Sequence, residues 1–400
     1  MKLLLLSYAL IGGLGVLLAF WSSAIRRAPV SEPLLALVLG VVAGPLLGLI
    51  VVADRLGAEL VREMSRALLA ISLMAVALRF PISGYRAVLR PVLVLLSAGM
   101  VGMAVVTAGL AWGVLGVPLA FAALLGSCLT PTDPVLASSI VSGGPAEREL
   151  PAHLRQVISG ESGGNDGLAF PLVVLALAAF GTKPWTDQVV EAVWGVCGAV
   201  LVGVAVGWLA GHAVRAANRR ETVDQGSLLI FAVLLGVASL GFARVLGTDG
   251  ILAAFATGLA YNKVLGDQPR IVEQKLDDSL TRYLVLPLFF LLGVELPWRD
   301  WGELGWRLPA FTLAVLLLRR LPVVLGLGGP LGLGRRDLIF LGWFGPIGVS
   351  ALFYLAYSHD EGARDPLLWA AGSMVVASST LVHGVTAMPG RRWYAARGGG

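Results

Sequence analysis

Long apolar runs alternate with short polar segments along nearly the whole chain, and they set its predicted architecture. Most runs hold about 20 residues, which is the length that crosses a bilayer as a helix. They predict about 13 transmembrane helices, numbered here as spans 1 to 13. In chain order the spans are Leu3–Trp21, Pro33–Ala53, Ala67–Ala77, Val92–Leu115, Leu119–Val141, Val157–Phe180, Val189–Ala210, Ser227–Gly241, Ile251–Tyr261, Leu280–Leu296, Leu308–Leu325, Leu338–Tyr357 and Leu367–Val385.

The composition agrees with this pattern. Hydrophobic residues make up 57% of the chain and charged residues only 14%, whereas a soluble domain carries about 25% charged residues. We therefore predict an all-α polytopic membrane protein. The net charge of +5 does not indicate nucleic-acid binding, because the basic residues lie in short loops between the apolar runs. Cys128 and Cys197 lie within apolar runs without metal-ligand spacing, so we expect no disulfide framework and no cofactor.

Basic residues in the loops orient the predicted spans. If the N-terminus lies outside, the inner loops carry most of the arginines, and the positive-inside rule favours this orientation with the C-terminus in the cytoplasm. We expect a multi-pass protein of the bacterial inner (plasma) membrane. The arginines expected inside include Arg26, Arg27, Arg86, Arg90, Arg148, Arg155, Arg215, Arg219, Arg220, Arg270, Arg335 and Arg336, and the C-terminal Arg391, Arg392 and Arg397.

Two spans are interrupted by helix-breaking residues. The segment Thr130-Pro131-Thr132-Asp133-Pro134 breaks span 5, and Gly345-Pro346 breaks span 12. An offset of seven spans makes the two run in opposite directions, which is typical of an inverted repeat with two crossing discontinuous helices. The alternative is that these prolines are ordinary kinks.

Acidic residues next to these breaks predict an ion site. An acid at membrane depth is costly and usually faces a cavity or a partner. Because removal from water disfavours a charged carboxylate, Asp166 in span 6 can hold a proton and release it when a cation arrives. A carboxylate that holds either ligand but never both is sufficient for exchange. Asp133, Thr132, Ser162 and Glu161 can supply further oxygen atoms, which hard cations prefer.

Three more polar residues are expected to support the site. The amide of Asn165 cannot ionise, but it can orient the break in span 5 or cap a half-helix. Glu161 needs a cationic partner, and span 11 contains Arg319 and Arg320 in an apolar setting. We predict a Glu161–Arg320 ion pair with Arg319 nearer the interface. Alternatively, both arginines extend to the inner surface.

The order of these motifs resembles the sodium/proton exchangers of the monovalent cation–proton antiporter superfamily, in their NhaP-like Asn-Asp branch. The resemblance covers nearly the whole chain. Its motifs are Thr132-Asp133-Pro134, Glu161-Ser162-Gly163-Gly164-Asn165-Asp166-Gly167, Phe290-Leu291-Leu292-Gly293-Val294-Glu295-Leu296, the arginine of span 11, and Gly345-Pro346-Ile347-Gly348-Val349.

The chain departs from this branch at two places. Many members carry arginine at the position of Ile347, so its function is absent here or supplied elsewhere. Gly163 and Gly164 replace bulkier residues, and we expect them to loosen the site.

The resemblance implies an NhaA-like antiporter fold and a homodimer. It implies a single transmembrane domain over residues 1–400, with a core built from spans within 92–180 and 308–385. The remaining spans would form the dimerisation part, against which the core moves like an elevator. Asp166 would be the exchanging carboxylate, in a site that swaps one cation for one proton. The Na⁺ ligands would be Asp166, Thr132, Ser162 and Glu161, with Asp133 beside them.

The favoured hypothesis is a secondary antiporter, not an enzyme, that exchanges Na⁺ or Li⁺, with K⁺ as a further candidate, for H⁺. Its role would be sodium transport and pH homeostasis. An intramembrane aspartyl protease is an alternative, because two membrane aspartates could share a proton. However, Asp133 and Asp166 lack the Tyr-Asp and Gly-x-Gly-Asp contexts expected of one. A channel or a sodium-coupled solute carrier with similar broken helices is the third possibility.

Overall fold

The computed structural model describes Gly13 and residues 31–48, 54–181, 183–220, 225–266 and 282–396. These residues are nearly all helical, and no strand occurs among them. In chain order, helices α1 to α19 are Glu32–Val41, Asp54–Arg79, Ile82–Ala87, Leu89–Leu115, Leu119–Cys128, Ser138–Val141, Gly144–Glu149, Ala152–Leu177, Trp185–Arg219, Gln225–Val245, Gly250–Leu265, Arg282–Val294, Trp298–Leu304, Arg307–Leu318, Leu321–Gly326, Gly328–Leu331, Arg335–Trp343, Val349–Asp360 and Pro366–Ala396.

Apolar helices long enough to cross a membrane confirm the predicted polytopic helical protein. Span 1 lies outside the described residues apart from Gly13, and parts of spans 2 and 10 also lie outside, so the count of about 13 stays a prediction. In the described part of the chain, the five long apolar helical stretches are Leu89–Leu115, Ala152–Phe180, Trp185–Arg219, Arg307–Gly326 and Pro366–Ala396.

Several helices extend beyond the predicted apolar runs. Helix α2 begins at Asp54, whereas span 3 begins at Ala67. An apolar run marks only the part of a helix that is shielded from water. The backbone hydrogen bonds of the helix continue through the charged residues at its end. There Arg66 Nη1 donates to Glu63 Oε1 at 2.8 Å, an i,i+3 pair that suits a helix surface.

The two predicted breaks are present, and they touch each other. Helix α5 ends at Cys128 and α6 begins at Ser138, while α17 ends at Trp343 and α18 begins at Val349. The N–H of Asp133 donates to the carbonyl of Pro346 at 2.8 Å. The prediction that two discontinuous helices cross at their breaks is confirmed. Ordinary kinks are the wrong interpretation, because no helix forms over residues 129–137 and 344–348, which separate the paired halves.

Helix α8 carries the acidic motif through the buried centre of the structure. Its glycines allow neighbouring side chains to approach closely. A Cβ atom at Gly164 would lie 2.7 Å from Leu96 Cδ1, and one at Gly163 would overlap the Phe255 ring. The expectation that these glycines loosen the site is wrong, because the space left by each missing side chain is filled.

Candidate ion-binding site

Asp166 is fully buried on α8, with an exposed fraction of 0%. Neither of its carboxyl oxygens forms a hydrogen bond to any described residue. Its backbone carbonyl accepts a hydrogen bond of 2.5 Å from the Tyr354 hydroxyl on α18. Buried polar atoms are nearly always hydrogen-bonded in native proteins. The Asp166 carboxyl group is therefore a buried acid whose hydrogen-bonding capacity the described residues leave unmet.

The break in span 5 is attached to α8 at Asn165, the residue before Asp166, and at Ser162, one turn earlier. The N–H of Thr132 donates to Asn165 Oδ1 at 3.2 Å, and Asn165 Nδ2 donates to Thr132 Oγ1 at 2.7 Å. Thr132 Oγ1 also lies 3.2 Å from Ser162 Oγ. Ser162 and Asp166 are four residues apart and share one helix face. The sequence-predicted residues Thr132, Ser162, Asn165 and Asp166 are thus brought together.

Asp133 binds backbone N–H groups of both interrupted helices. Its Oδ1 accepts from the N–H of Val135 at 2.7 Å and from that of Leu136 at 3.0 Å, and its Oδ2 accepts from the N–H of Val349. Val349 is the first residue of α18, so the carboxylate offsets the positive end of that half-helix. Asp133 occupies a capping position in this arrangement rather than that of a free ligand.

Glu161 of α8 contacts Arg320, which lies between α14 and α15. Both of its carboxylate oxygens accept from Arg320, Oε2 from Nη2 at 2.6 Å. Arg320 Nε also donates to the Leu341 carbonyl at 2.8 Å. The predicted contact between Glu161 and Arg320 is present, and Glu161 lies in a supporting position rather than beside a free ligand.

Arg319 lies at the crossing, not near the interface. It is only 2% exposed, so the expectation that it sits nearer the surface is wrong, and so is the alternative that both arginines extend there. Its Nη1 donates to the carbonyls of Leu129, Thr130 and Pro131 at 2.6, 2.9 and 3.4 Å. Its Nη2 donates to the Gly345 carbonyl at 2.6 Å. One guanidinium thus binds carbonyls from both breaks, where helix ends carry partial negative charge.

His383 on α19 spans the break in span 12. Its Nε2 lies 3.0 Å from the carbonyl of Trp343, the last residue of α17. Its Nδ1 lies 3.2 Å from Ser379 Oγ, which accepts from the N–H of Ile347 at 2.8 Å. With the proton on Nε2, the neutral imidazole satisfies all these groups together. The N–H of Ile347, where many relatives carry arginine, is thus bound by Ser379 of α19.

The sequence interpretation missed Ser350 and Tyr354 of α18. Both are fully buried, and Ser350 is close enough to act on the Asp166 carboxyl group. The available signal was their spacing. Ser350, Tyr354 and Ser358 recur every four residues in an otherwise apolar half-helix, which places them on one face. The prolines and glycines just before these residues indicate only the helix break.

Comparison with known proteins agrees with this geometry. The family profile described as sodium/hydrogen exchanger, transmembrane, matches residues 13–390. The chain belongs to this family. Exchanger relatives include Na⁺/H⁺ antiporter 2 of Zygosaccharomyces rouxii, 34% identical over 75% of this chain and 39% of that protein. A probable Na⁺/H⁺ antiporter of Schizosaccharomyces pombe is 29% identical over 95% of this chain and 55% of that protein.

The chain therefore spans only 39% and 55% of the length of these two relatives. The solved structure of the sodium proton antiporter MjNhaP1 from Methanocaldococcus jannaschii has a similar fold. It aligns with a TM-score of 0.76 and 19% identity, and the alignment covers 99% of each chain. This likeness confirms the predicted antiporter fold. The proteins named here are transporters rather than enzymes.

Proposed function

We propose that the protein is a secondary antiporter that exchanges Na⁺ or Li⁺ for H⁺, with K⁺ as a further candidate cation. One observation carries the proposal. The Asp166 carboxyl group is fully buried beside the helix crossing, and its two oxygens have no hydrogen-bond partner among the described residues. Such a group is stable when it binds either a proton or a cation. The two relatives of this family compared above are also named as Na⁺/H⁺ antiporters.

The free carboxylate of Asp166 is the first cation ligand. The hydroxyls of Thr132 and Ser162 bond to one another on the same side of α8, and each oxygen has two lone pairs, so both can also contact a cation. Asp133 and Glu161 were expected to contact the cation as well, but their carboxylates are bound by backbone N–H groups and by a guanidinium. We assign these two acids a supporting role, and the cation itself is a substrate rather than a resident cofactor.

The same arrangement favours one-for-one exchange. A single free carboxylate binds either one proton or one monovalent cation, so each cycle moves no net charge. The crossing ties the spans within 92–180 to those within 308–385, and this set would be the core that moves as an elevator. The remaining spans would form a homodimer in the plasma membrane. The arginine-rich loops support an outside N-terminus and a cytoplasmic C-terminus.

Transport in proteoliposomes tests the function. The purified protein is reconstituted with a pH dye inside the vesicles, and Na⁺, Li⁺ or K⁺ is added outside. We expect the lumen to become more alkaline with wild type and with Asp187→Asn, which removes an exposed acid from the start of α9. Asp166→Asn should abolish the response.

Two outcomes would contradict the exchange function, and a third would contradict its stoichiometry. Persistent Na⁺-dependent proton flux in Asp166→Asn would exclude Asp166 as the exchanging group. Cation uptake without proton movement would favour a channel or a solute carrier. An imposed membrane potential should leave the rate unchanged, and a clear dependence on voltage would contradict one-for-one stoichiometry. The protease alternative gains no support, because Asp133 is bound by backbone N–H groups and cannot readily share a proton with Asp166.

A further inference from the structure

The face of α18 that carries Ser350 lies against Asp166. Tyr354, one turn further along, donates from its hydroxyl to the Asp166 backbone carbonyl at 2.5 Å. Residues four apart lie on the same side of a helix, so Ser350 also faces α8. Val349, immediately before it, is held by Asp133 at the break. The position of Ser350 is therefore fixed on both sides by contacts with the site.

Ser350 is an unusual buried serine. Its exposed fraction is 0%, and its hydroxyl forms no hydrogen bond to any described residue. Serine and threonine within helices usually donate to the carbonyl four residues earlier. Ser127 and Thr380 do so, at 2.8 and 2.9 Å. Ser350 lies in the first turn of a half-helix, where the preceding chain is not helical, and its hydroxyl stays free.

The free hydroxyl lies near the free carboxyl group. The two groups are close enough to interact, but neither has a partner at ordinary hydrogen-bond geometry among the described residues. Two oxygens in a hydrogen bond lie about 2.5–3.0 Å apart. Oxygens that share a hard cation each lie near the ion and can remain farther from one another. An unbonded hydroxyl beside an unbonded carboxylate fits the second arrangement.

We propose that Ser350 is a further ligand of the transported cation, contributed by the second half of the interrupted span 12. This inference rests on the proposed exchange function and extends it. The hydroxyl is an oxygen ligand of the kind that Na⁺ and Li⁺ prefer over sulfur. The site then takes oxygens from α8, from the break in span 5 and from α18. Movement of either half-helix changes the number of ligands around the ion.

Substitution at Ser350 tests the inference in the same proteoliposomes. Ser350→Ala should raise the apparent KM for Na⁺ and Li⁺ by about tenfold, with a smaller effect on the maximal rate. Ser350→Thr keeps a hydroxyl and should stay within about threefold of wild type, whereas Ser350→Cys offers a softer sulfur atom and should behave like alanine. A purely structural role of Ser350 would not make KM depend on whether the side chain at this position carries an oxygen atom, a sulfur atom or only carbon.

Ser72→Ala is the matched control. Ser72 of α2 is also fully buried and without a hydrogen-bond partner among the described residues. Unlike Ser350, it is not among the groups that interact with the Asp166 carboxyl group. Its substitution should leave KM unchanged. If Ser350→Ala does not fold, the contrast between Ser350→Thr and Ser350→Cys decides the question. Unchanged KM in both Ser350→Ala and Ser350→Cys, with Asp166→Asn inactive, would overturn the ligand assignment while leaving the exchange function intact.

A transport-free measurement separates the two proposals. Cation binding to the folded protein raises its melting temperature. Li⁺ should stabilise purified wild type and Ser350→Thr, and should need about tenfold higher concentrations to stabilise Ser350→Ala. If wild-type vesicles show no exchange, this measurement still tests Ser350. Equal Li⁺ stabilisation of wild type and Ser350→Ala would exclude the hydroxyl as a ligand.

Discussion

The buried pair between Glu161 and Arg320 makes a quantitative prediction about stability. The Glu161 side chain is 0% exposed and that of Arg320 is 4% exposed, and the two share a bidentate contact. Removing one partner of such a pair leaves an uncompensated buried charge, at a cost of about 3–5 kcal/mol. Glu161→Met and Arg320→Met should each lower the free energy of unfolding by about this amount.

The double variant should recover most of this loss. Without either charge the only remaining deficit is the Leu341 carbonyl, which loses its bond from Arg320 Nε and costs about 1–3 kcal/mol. The coupling energy from the double-mutant cycle should therefore be about 3 kcal/mol or more. Equilibrium unfolding in mixed micelles, followed by tryptophan fluorescence, measures all four proteins.

A surface pair of the same chemistry supplies the control. Arg299 and Glu303 are paired at 3.1 Å in α13, with side chains 90% and 66% exposed. Exposed i,i+4 pairs contribute only about 0.3–0.5 kcal/mol, so the same cycle there should show little coupling. Additive losses at Glu161 and Arg320, or single variants as stable as wild type, would refute the argument that burial makes this pair strong.

Three further predictions concern the crossing itself. Arg319→Met should lower the melting temperature more than Arg319→Lys, because methionine leaves every bound carbonyl unpaired while lysine retains donors; equal melting temperatures would contradict this. Asp133→Asn should lower stability by about 1–3 kcal/mol in the same unfolding assay, since its NH₂ group must face an N–H donor such as that of Val349. Asn165→Ala removes two hydrogen bonds to Thr132 and should lower the free energy of unfolding by about 2 kcal/mol. It should also raise the KM for Na⁺ in proteoliposomes, and an unchanged KM would show that Thr132 is not a cation ligand.

Much of the fold could be predicted from the sequence because the bilayer imposes a simple rule on apolar length. The breaks at Pro131 and Pro346 were equally visible, since proline and glycine stop helical hydrogen bonding. Helix ends were less predictable. Helix α9 runs over Trp185–Arg219, beyond the predicted span Val189–Ala210, because hydropathy does not register a helix that continues into polar surroundings.

The acidic members of the site could be predicted, but not the bonds they form. A buried charge needs a partner, and that rule paired Glu161 with the correct span. It could not show that Arg319 binds main-chain carbonyls, because every residue has a carbonyl group and the sequence does not show which of them lack a helical partner. Nor could it find Ser350, since a single serine in an apolar helix usually bonds to its own backbone. Only the interruption before α18 removes that option.

Side chains bind backbone groups at both helix breaks, and under the proposed function this would let a single acid exchange ligands there. Arg319 binds the carbonyl ends, Asp133 binds the N–H end of α18, and Asn165 holds Thr132. Each of these bonds is made to the backbone and needs no ion. The Asp166 carboxyl group differs because no described residue completes its hydrogen bonds. Under the proposed function, a proton and a cation would replace one another at Asp166 without unfolding the crossing, since permanent partners fix the surrounding backbone.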